Sequence, residues 1–573
     1  MHRGTLHRGT LLRRTATSLT LLLVGAALVV PSAAQAAGNT LTVNAGTPVR
    51  PVTHVAAGGL YAVDTGSKPP LDMMYPLRMN HLTQPPPGTQ QLGNGATTPC
   101  CDGLQVAGKV TSAGAQQFLR LPDIYPNFPY RWVSWADWES KVRTMVTARV
   151  NATGTTNIDG YELWNEPDWT WNTAAAGSFL DGWTRTHRLI RSLDPVTPIV
   201  GPSHAVYNHQ WMVDFLTNAR NTNTLPDVIV WHELGDDSYL NVQAHVADYR
   251  AVERSLGISP RPISINEYAS PSQVDIPSVA VHYMAVFERH GVRSAERAYW
   301  YEAGTLNGLH NNAPTSSYWA YKWYGDMSGN IVQTVPGSWL DGVASYDSHR
   351  RFVNVVFGGD SGNNTVRVNG LGALGSQVRV TLQRSGTTGR STNQSAPIAV
   401  SSSTYPVSGG SISVPVTGMH AWDSYQLLIT PASGAATWQQ RYEAENATVV
   451  NANRLSASSA SNGGYVGQID GSANSRSQSF VDFLVNVPSA RSYTMTIGYA
   501  NGTGATATQG LAYNGSAWQT VSYPPTAGWG VFGSTVSTGV TLRAGWNMIR
   551  LAKGSPNFAG GTGYAELDYI NLS

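Results

Sequence analysis

Two acidic motifs carry the strongest chemical signal in this sequence. The first is Asn165-Glu166-Pro167, and the second places Glu267 inside the segment Ser264-Ile265-Asn266-Glu267-Tyr268. Each motif lies at the end of a short apolar run that predicts a buried strand. When two carboxyl groups stand about 5 Å apart, one can attack an anomeric carbon while the other protonates the leaving oxygen. The pair therefore predicts retaining glycoside hydrolysis, with Glu166 as acid/base and Glu267 as nucleophile.

Repulsion between two close carboxylates predicts that one of them stays protonated in the free protein, which is the state a general acid needs. The pair would titrate as one coupled unit. Glu162 and Glu233 are competing carboxylates. Glu162 lies four residues before Glu166, and we expect it to point away from the reacting groups or to support an arginine. Arg120 follows another predicted strand, where it could orient a catalytic carboxylate or form a structural ion pair, and both interpretations remain open.

The elements that must position these residues alternate between short strands and amphipathic helices. One helical face is formed by Trp135, Trp138, Val142, Met145 and Val146, and a second helix runs from about Val242 to Leu256 and stops at Gly257. Eight strands alternating with helices predict an α/β fold of the (β/α)₈ TIM barrel type, whose active sites occupy the carboxyl ends of the strands. The predicted strands are Thr53–Leu60, Arg78–Thr83, Gln117–Pro122, Gly160–Trp164, Pro198–Gly201, Val228–Trp231, Ile263–Ile265 and Arg297–Tyr301.

The texture changes after the barrel, which we assign to residues 52–328. Alternating Val-rich segments with Ser, Thr and Gly turns predict an accessory β-sandwich at 329–431, to which residues 38–51 add a strand. A linker at 432–440 leads to a second all-β unit at 441–573. The predicted architecture is therefore a barrel followed by two all-β sandwich domains.

The amino-terminal residues predict export. Four arginines precede an apolar run from Leu19 to Val30, and the small residues Ala34-Gln35-Ala36 follow, so residues 1–36 are expected to be a signal peptide. Arg13-Arg14 leaves a twin-arginine route open beside the general secretory one. Without this leader, 33 Lys and Arg nearly balance 35 Asp and Glu, which favours neither nucleic acid nor a membrane as a partner. We therefore expect a secreted, extracellular protein.

Cys100 and Cys101 are the two cysteines of the chain, and they are adjacent. A metal site, two free thiols and a vicinal disulfide are the alternatives. The segment shows no further thiolate or histidine partner for a metal, and an exported protein can keep disulfides. We favour the vicinal bridge, and because strained elements in loops are often ligand surfaces, we expect it to line the substrate site.

The two acidic motifs resemble those of the clan A glycoside hydrolases, which carry the acid/base on strand 4 and the nucleophile on strand 7. Over residues 40–430 the chain most resembles glycoside hydrolase family 39, which joins such a barrel to a β-sandwich. The resemblance implies that Asn165 binds the sugar 2-hydroxyl, that His54 and His232 line the subsite, and that Trp300 forms its floor. It implies no cofactor for catalysis. Tyr268 departs from the family pattern and leaves the sugar specificity open.

The C-terminal unit opens on Glu443-Ala444-Glu445 and closes on a segment containing Asp568. Hard oxygen ligands gathered from both ends of a sandwich suit Ca²⁺. The pattern resembles carbohydrate-binding module families 35 and 6, which implies a jelly-roll sandwich with a structural Ca²⁺ held by Glu443, Glu445 and Asp568. The same resemblance makes three loop residues candidates for sugar contact, although Trp529 could equally be a packing residue; they are Tyr465, Trp529 and Asn557.

These features favour an enzyme acting on a polysaccharide or oligosaccharide. We expect α-L-arabinofuranosidase-type removal of side chains from plant arabinogalactan, and a β-xylosidase-like exo-glycosidase or a non-catalytic carbohydrate-binding protein remains as an alternative. An esterase is disfavoured because the barrel segment contains no G-x-S-x-G motif. The long loop from Gly66 to Gly114 predicts a cleft closed at one end, which favours exo action. Trp164, Trp169 and Trp171 could be core residues or surfaces that stack on sugars.

Overall fold

A computed structural model of the protein describes residues 39–92, 97–298, 306–433, 438–471 and 478–573. The first element is a long strand, β1 (Thr40–Pro51), which precedes the barrel. This strand pairs antiparallel with the strand Asn330–Val335 and parallel with the strand Gly362–Asn369. The segment Leu41–Val43 therefore belongs to the sheet that follows the barrel in the chain.

Eight parallel strands then close into a barrel, as the alternation of elements predicted. Their order around the barrel is the order of the chain: β2 (Gly58–Leu60), β3 (His81–Gln84), β4 (Gln116–Arg120), β5 (Ile158–Glu162), β6 (Ile199–His204), β7 (Val228–Trp231), β8 (Ile263–Tyr268) and β9 (Ser294–Arg297). The first strand is shorter than predicted, because Thr53–Ala57 does not join it. The seventh strand is longer than predicted and includes Glu267 itself.

Helices connect the barrel strands and pack around them. In the described part of the chain they are α1 (Leu71–Met74), α2 (Ala107–Ser112), α3 (Trp135–Val150), α4 (Pro167–Thr170), α5 (Thr173–Ala176), α6 (Phe179–Leu193), α7 (His209–Asn221), α8 (Ser238–Ser255), α9 (Pro277–Arg289) and α10 (Ser316–Gly325). Helices α3 and α6 begin at serines, Ser134 and Ser178, whose hydroxyls accept a backbone N–H of the first turn. None of the helices in the described ranges is both long and apolar enough to cross a membrane.

A β-sandwich follows the barrel, after a short hairpin of β10 (Leu309–His310) and β11 (Ala313–Pro314). Its further strands are β12 (Asn330–Val335), β13 (Asp341–Asp347), β14 (Phe352–Gly358), β15 (Gly362–Asn369), β16 (Gln377–Ser385), β17 (Ile398–Pro406), β18 (Ser411–Met419) and β19 (Ser424–Pro431). Together with β1 they form a nine-stranded sheet, in which alternate residues such as Val366, Val368, Val378 and Val380 bury one face.

The C-terminal module contains two antiparallel sheets. Its strands are β20 (Gln440–Glu443), β21 (Thr448–Val450), β22 (Asn453–Ser456), β23 (Gly464–Gly467), β24 (Ser479–Val487), β25 (Arg491–Ala500), β26 (Ala507–Tyr513), β27 (Gln519–Tyr523), β28 (Ser534–Leu542), β29 (Gly545–Lys553) and β30 (Glu566–Leu572). Strands β20, β22, β23, β25, β28 and β30 form one sheet, and the other five form the second. Their facing sides enclose a separate apolar core.

The module packs directly against the barrel and the sandwich. Its contacts reach segments that lead into barrel strands, at the amino ends of those strands: Arg78 donates to the Leu484 carbonyl at 2.5 Å, and the Thr448 hydroxyl donates to the Gly114 carbonyl. Asn446 exchanges two hydrogen bonds with the backbone of Gly329, at 2.9 and 3.0 Å. Because the carboxyl ends of the strands lie at the other face of the barrel, the module and the predicted active site occupy opposite faces.

Candidate active site

Glu166 lies at the mouth of the barrel, four residues after the end of β5. It precedes the short helix α4, whose first residue is Pro167, and its backbone adopts a left-handed conformation with φ of 52°. The Glu166 backbone N–H donates to the Ser203 carbonyl of the neighbouring strand β6 at 2.8 Å. This bond and the helix fix the direction in which the carboxyl group leaves the strand end.

Glu267 reaches the same place from β8. A carboxylate oxygen of Glu166, one of Glu267 and a ring nitrogen of His232 all lie within 4.8 Å of one another, and all three side chains are buried. Retaining glycosidases separate their two carboxyl groups by about 5–5.5 Å, whereas inverting enzymes need about 6.5–9.5 Å. The structure therefore brings the two predicted carboxylates to the short separation.

Arg120, at the end of β4, connects the nucleophile candidate to the barrel interior. Its guanidinium donates to Glu267 Oε1 at 2.5 Å and to the two oxygens of Glu162 at 2.7 and 3.3 Å. Asn266 Nδ2 donates to the same Glu162 at 2.9 Å. Both interpretations of Arg120 are thus realised, since it orients Glu267 and also forms a structural ion pair. Glu162 supports an arginine, which was one of its two predicted roles.

His232, which follows β7, lies between the two carboxylates. Its Nδ1 is 3.0 Å from Glu166 Oε1, and its Nε2 is 3.8 Å from Glu267 Oε1. Burial acts to lower the pKa of His232, but the charge of Glu267 and the hydrogen bond to Glu166 raise it above its usual value. The imidazole is therefore a proton-holding group within the pair of carboxylates.

The expected protonation of one carboxyl by repulsion is not found at Glu166. Burial acts to raise the Glu166 pKa, yet the hydrogen bond and charge of His232, the charge of Arg120 and a bond from Trp169 together hold that pKa below its usual value. The two cationic side chains relieve the repulsion on which the expectation rested. The hydrogen bond between Glu166 and His232 therefore favours the ionised carboxylate and the protonated imidazole.

A buried polar cluster next to Arg120 has no strong signal in the sequence. Tyr61 and Tyr130 each donate a hydroxyl to Asp123, at 2.5 and 2.9 Å, and Arg120 donates to the Tyr61 hydroxyl at 3.3 Å. Burial is the main cause that raises the pKa of Asp123 to about 6, against the lowering effect of Arg120. The cluster braces Arg120 from the side opposite Glu162. A polar Asp one residue after Leu121-Pro122 was the signal that could have found it.

Asn165 is buried beside Glu166, and its side-chain oxygen has no hydrogen-bond partner among the described residues. It is available to a ligand hydroxyl, as the resemblance implied. Glu233 is excluded from the mouth, because it accepts hydrogen bonds from Trp231 and His245 at 2.7 and 2.8 Å. Trp300 lies outside the described residues.

The prediction for His54 is wrong. His54 precedes β2 and therefore lies at the amino ends of the strands, where its Nε2 is 3.3 Å from the Met327 carbonyl. Together with Arg78, it lines a cavity of about 880 Å³ between the barrel, the sandwich and the module. Burial lowers the pKa of His54 to about 3, so the imidazole is neutral. The error arose because Val55–Ala57 is apolar and buried without being part of the barrel strand.

Cys100 and Cys101 are joined by a disulfide bond. The vicinal bridge confirms the favoured alternative, and the metal site and the free thiols are excluded. Cys101 is buried, and its backbone N–H donates to Gln105 Oε1 at 2.7 Å. The bridge lies in the segment that connects β3 to β4.

The module residues predicted to contact sugar are not all brought together. Trp529 is 48 % exposed, and Tyr465 packs on Phe532 near Gly530. The prediction that Asn557 contacts sugar is wrong. Its side chain is hydrogen-bonded to Thr155 of the barrel at 3.0 Å and to Arg550 and Gln478 of the module. It belongs to the contact between module and barrel. A cavity of about 750 Å³ adds a residue that was not predicted, Tyr564, to the surroundings of Trp529.

Two of the three predicted metal ligands of the module, Glu443 and Asp568, bind the same residue, Ser461, and the charge of Asp568 acts on the third, Glu445. Glu443 Oε1 accepts the Ser461 hydroxyl and Asp568 Oδ1 accepts the Ser461 backbone N–H, each at 2.8 Å. Burial raises the pKa of Glu443 to about 9, that of Glu445 to about 8 and that of Asp568 to about 6. Neighbouring carboxylates add to the rise at Glu443 and Glu445.

A solved structure, N2152 from Neocallimastix frontalis, matches with 33 % identity and a TM-score of 0.65, and it covers 69 % of this chain and 100 % of its own. The chain belongs to the same family as this fungal protein. No family model matches the sequence.

Two curated relatives of the chain are named as arabinofuranosidases. A 3-O-β-L-arabinopyranosyl-α-L-arabinofuranosidase of Bifidobacterium pseudocatenulatum is 27 % identical over 487 residues, which is 71 % of this chain and 49 % of the relative. A 3-O-α-D-galactosyl-α-L-arabinofuranosidase of Bifidobacterium longum subsp. longum is 34 % identical over 258 residues, or 42 % and 23 %. The chain thus spans half or less of the length of these relatives. Both relatives are named as arabinofuranosidases, which agrees with the glycoside hydrolase resemblance given by the two acidic motifs.

Proposed function

We propose that this protein is a retaining glycoside hydrolase that releases α-L-arabinofuranose-containing units from side chains of plant polysaccharide, such as arabinogalactan. The observation that carries the proposal is the approach of Glu166 and Glu267 to within 4.8 Å at the barrel mouth. The class of sugar is supported by the printed activities of the two curated relatives.

In the first step, Glu267 attacks the anomeric carbon and the bond to the leaving oxygen breaks. Arg120 holds the Glu267 carboxylate at 2.5 Å and fixes the direction of attack. The leaving oxygen takes its proton from Glu166, which exchanges it with His232 across their 3.0 Å contact. In the second step, Glu166 takes a proton from water, the water oxygen attacks the anomeric carbon, and Glu267 leaves.

The test combines product analysis with two carboxylate variants. Proton NMR of the earliest product should show the same anomeric configuration as the substrate. The Glu267→Ala variant should lose about 10³-fold or more in turnover, because the covalent route is removed. Glu233→Gln is the matched control. It changes a buried carboxyl group that follows β7 and bonds to Trp231 and His245 instead of to the two catalytic carboxylates, so turnover should stay within a few-fold of wild type. Inversion of configuration, or unchanged turnover in Glu267→Ala, would contradict the proposal.

We further propose a structural Ca²⁺ in the module, held by Glu443, Glu445 and Asp568. Both carboxylate oxygens of Glu445 and one of Glu443 are buried and have no hydrogen-bond partner in the described part of the chain. Two buried carboxyl groups with unpaired oxygens, together with the buried Asp568, fit a hard divalent cation, which accepts six to eight oxygen ligands. The ion would neutralise charges that otherwise repel one another. It stabilises the module and takes no part in the hydrolysis.

We also propose that the module binds carbohydrate around Trp529, Tyr465 and Tyr564, and that the Cys100–Cys101 bridge lines the substrate site. The support for the module site is the exposed Trp529 ring beside a 750 Å³ cavity with polar walls. Pull-down on insoluble arabinogalactan should weaken in Trp529→Ala, while hydrolysis of a small substrate stays unchanged.

Export through a leader at residues 1–36 is proposed from the sequence pattern alone, and fractionation of a producing culture tests it.

A further inference from the structure

Two aromatic side chains stand exposed beside the acid/base candidate. Trp169 is 54 % exposed and Phe128 is 49 % exposed, and their rings meet edge to face with centroids 5.1 Å apart. Their neighbours Trp164 and Tyr130 are buried in the barrel core. Exposed large apolar side chains that form a contiguous patch commonly mark a binding site. The pair is therefore better suited to a ligand than to packing.

The position of Trp169 is fixed relative to the chemistry. It lies on α4, three residues after Glu166, and its indole Nε1 donates to Glu166 Oε2 at 2.9 Å. The other oxygen of Glu166 faces His232. Phe128 comes from the segment after β4, the strand next to β5 in the barrel, and its ring contacts Trp169. One oxygen of the acid/base carboxyl is thus bonded to the buried His232, and the other is bonded to an exposed ring.

We propose that Trp169 and Phe128 form the leaving-group subsite, a surface that stacks on the sugar ring from which the arabinofuranosyl unit is cleaved. This inference rests on the proposed function. A general acid protonates the oxygen that joins the two sugars, so the sugar on the far side of that oxygen must lie next to Glu166. Aromatic faces suit the C–H groups of a sugar ring, and the polar edges of the ring remain free for hydrogen bonds.

Trp169 has a second role in this arrangement. A hydrogen bond donated to a carboxylate favours its ionised form, and the bond from Trp169 is one of the causes that lower the pKa of Glu166. Trp169 therefore acts both as a contact surface and as a positioning residue for the acid. The two roles can be separated, because phenylalanine retains a ring and cannot donate the hydrogen bond.

The experiment compares two substrates of the same glycosyl unit. One is an oligosaccharide of the natural polymer, and the other is the glycosyl fluoride of the released sugar, whose leaving group has no ring and needs no protonation. The variants are Trp169→Ala, Phe128→Ala and Trp169→Phe. Trp339→Ala is the control, since Trp339 is an exposed tryptophan of the sandwich.

We expect Trp169→Ala and Phe128→Ala to lower kcat/KM for the oligosaccharide by about tenfold, the scale of one lost aromatic contact, and to leave the fluoride within about twofold. Trp169→Phe should keep most of the oligosaccharide activity and move the alkaline limb of its pH profile to higher pH, because Glu166 then releases its proton less readily. Trp339→Ala should behave as wild type.

Equal losses for both substrates, or no loss for the oligosaccharide, would overturn the leaving-group assignment while the glycosidase function stands. Wild type that cleaves no glycoside would instead overturn the proposed function, and the subsite with it. Thermal unfolding of each variant identifies any that are misfolded, and Phe128→Leu, which keeps an apolar side chain without a ring, then replaces Phe128→Ala.

Discussion

Substitution of Arg120 by methionine tests how the barrel holds its nucleophile. The guanidinium is 1 % exposed and makes charge-assisted hydrogen bonds to Glu162 and Glu267. Arg120→Met keeps an unbranched side chain but leaves two buried carboxylates without their cation. Breaking a buried ion pair in this way costs about 3–5 kcal/mol. Because 1 kcal/mol shifts the unfolding midpoint of a large domain by roughly 2–3 °C, we expect a fall of roughly 6–15 °C.

Differential scanning calorimetry measures this shift, and turnover is measured beside it. Arg120→Lys keeps the charge, but a lysine ammonium cannot reproduce the planar fork that serves both carboxylates, so its midpoint should lie between those of Arg120→Met and wild type. Turnover should fall about 10²-fold or more in Arg120→Met, because a nucleophile displaced by about 1 Å loses its alignment with the anomeric carbon.

The control is Arg185→Met, which removes an arginine paired with Glu139 on the surface of the barrel. Surface ion pairs contribute about 0–1 kcal/mol, so its midpoint should change by no more than roughly 3 °C. An Arg120→Met midpoint that falls by no more than that of Arg185→Met, or wild-type turnover in Arg120→Met, would refute the role given to Arg120.

Three further changes have defined outcomes. In His232→Gln, the loss of thermal stability should be large below about pH 6.5 and should shrink as the pH rises through the raised pKa of His232, because the imidazole stabilises the fold in this way only while it is protonated. A difference in unfolding midpoint from wild type that stays constant across this pH range would contradict this. A chelator should lower the thermal unfolding midpoint of the module, and added Ca²⁺ should restore it in wild type but not in Glu445→Ala. A midpoint that does not change with chelator contradicts the proposed Ca²⁺ site. Replacing Cys100 and Cys101 by serine should raise KM severalfold if the bridge lines the substrate site. The unfolding midpoint should change little, because a bridge between adjacent residues closes the smallest loop and restricts the unfolded chain least. An unchanged KM would contradict the placement of the bridge in the substrate site.

Much of the barrel could be predicted because its strands are short apolar runs between turn residues. Val228–Trp231 was predicted to the residue. The first strand, predicted as Thr53–Leu60, begins only at Gly58, because the buried residues Val55–Ala57 have the same apolar composition as a strand. The last barrel strand begins at Ser294, earlier than the predicted Arg297, because the polar Ser294 and the charged Glu296 give no apolar run although both are buried; residues 299–301 of the predicted strand lie outside the described residues.

The candidate site divides in the same way. Glu166 and Glu267 could be found because their motifs are local and lie at strand ends. The bonds from Arg120 to Glu267 and from Tyr61 to Asp123 join residues that are 147 and 62 positions apart, and no spacing in one sequence reports such contacts. The low pKa of Glu166 depends on His232 and could not be foreseen from two carboxylates considered alone. Asn557 was misassigned because its partner Thr155 belongs to another domain.

The docking of the module on the amino ends of the barrel strands alters what it means to remove it. Gly114, Gly329 and Arg78 find hydrogen-bonding partners in the module, so excision of the module would leave these polar groups without them. A replacement module of different specificity would therefore have to make the same hydrogen bonds to the barrel. A barrel expressed without any module would expose this surface, and copies would associate through it.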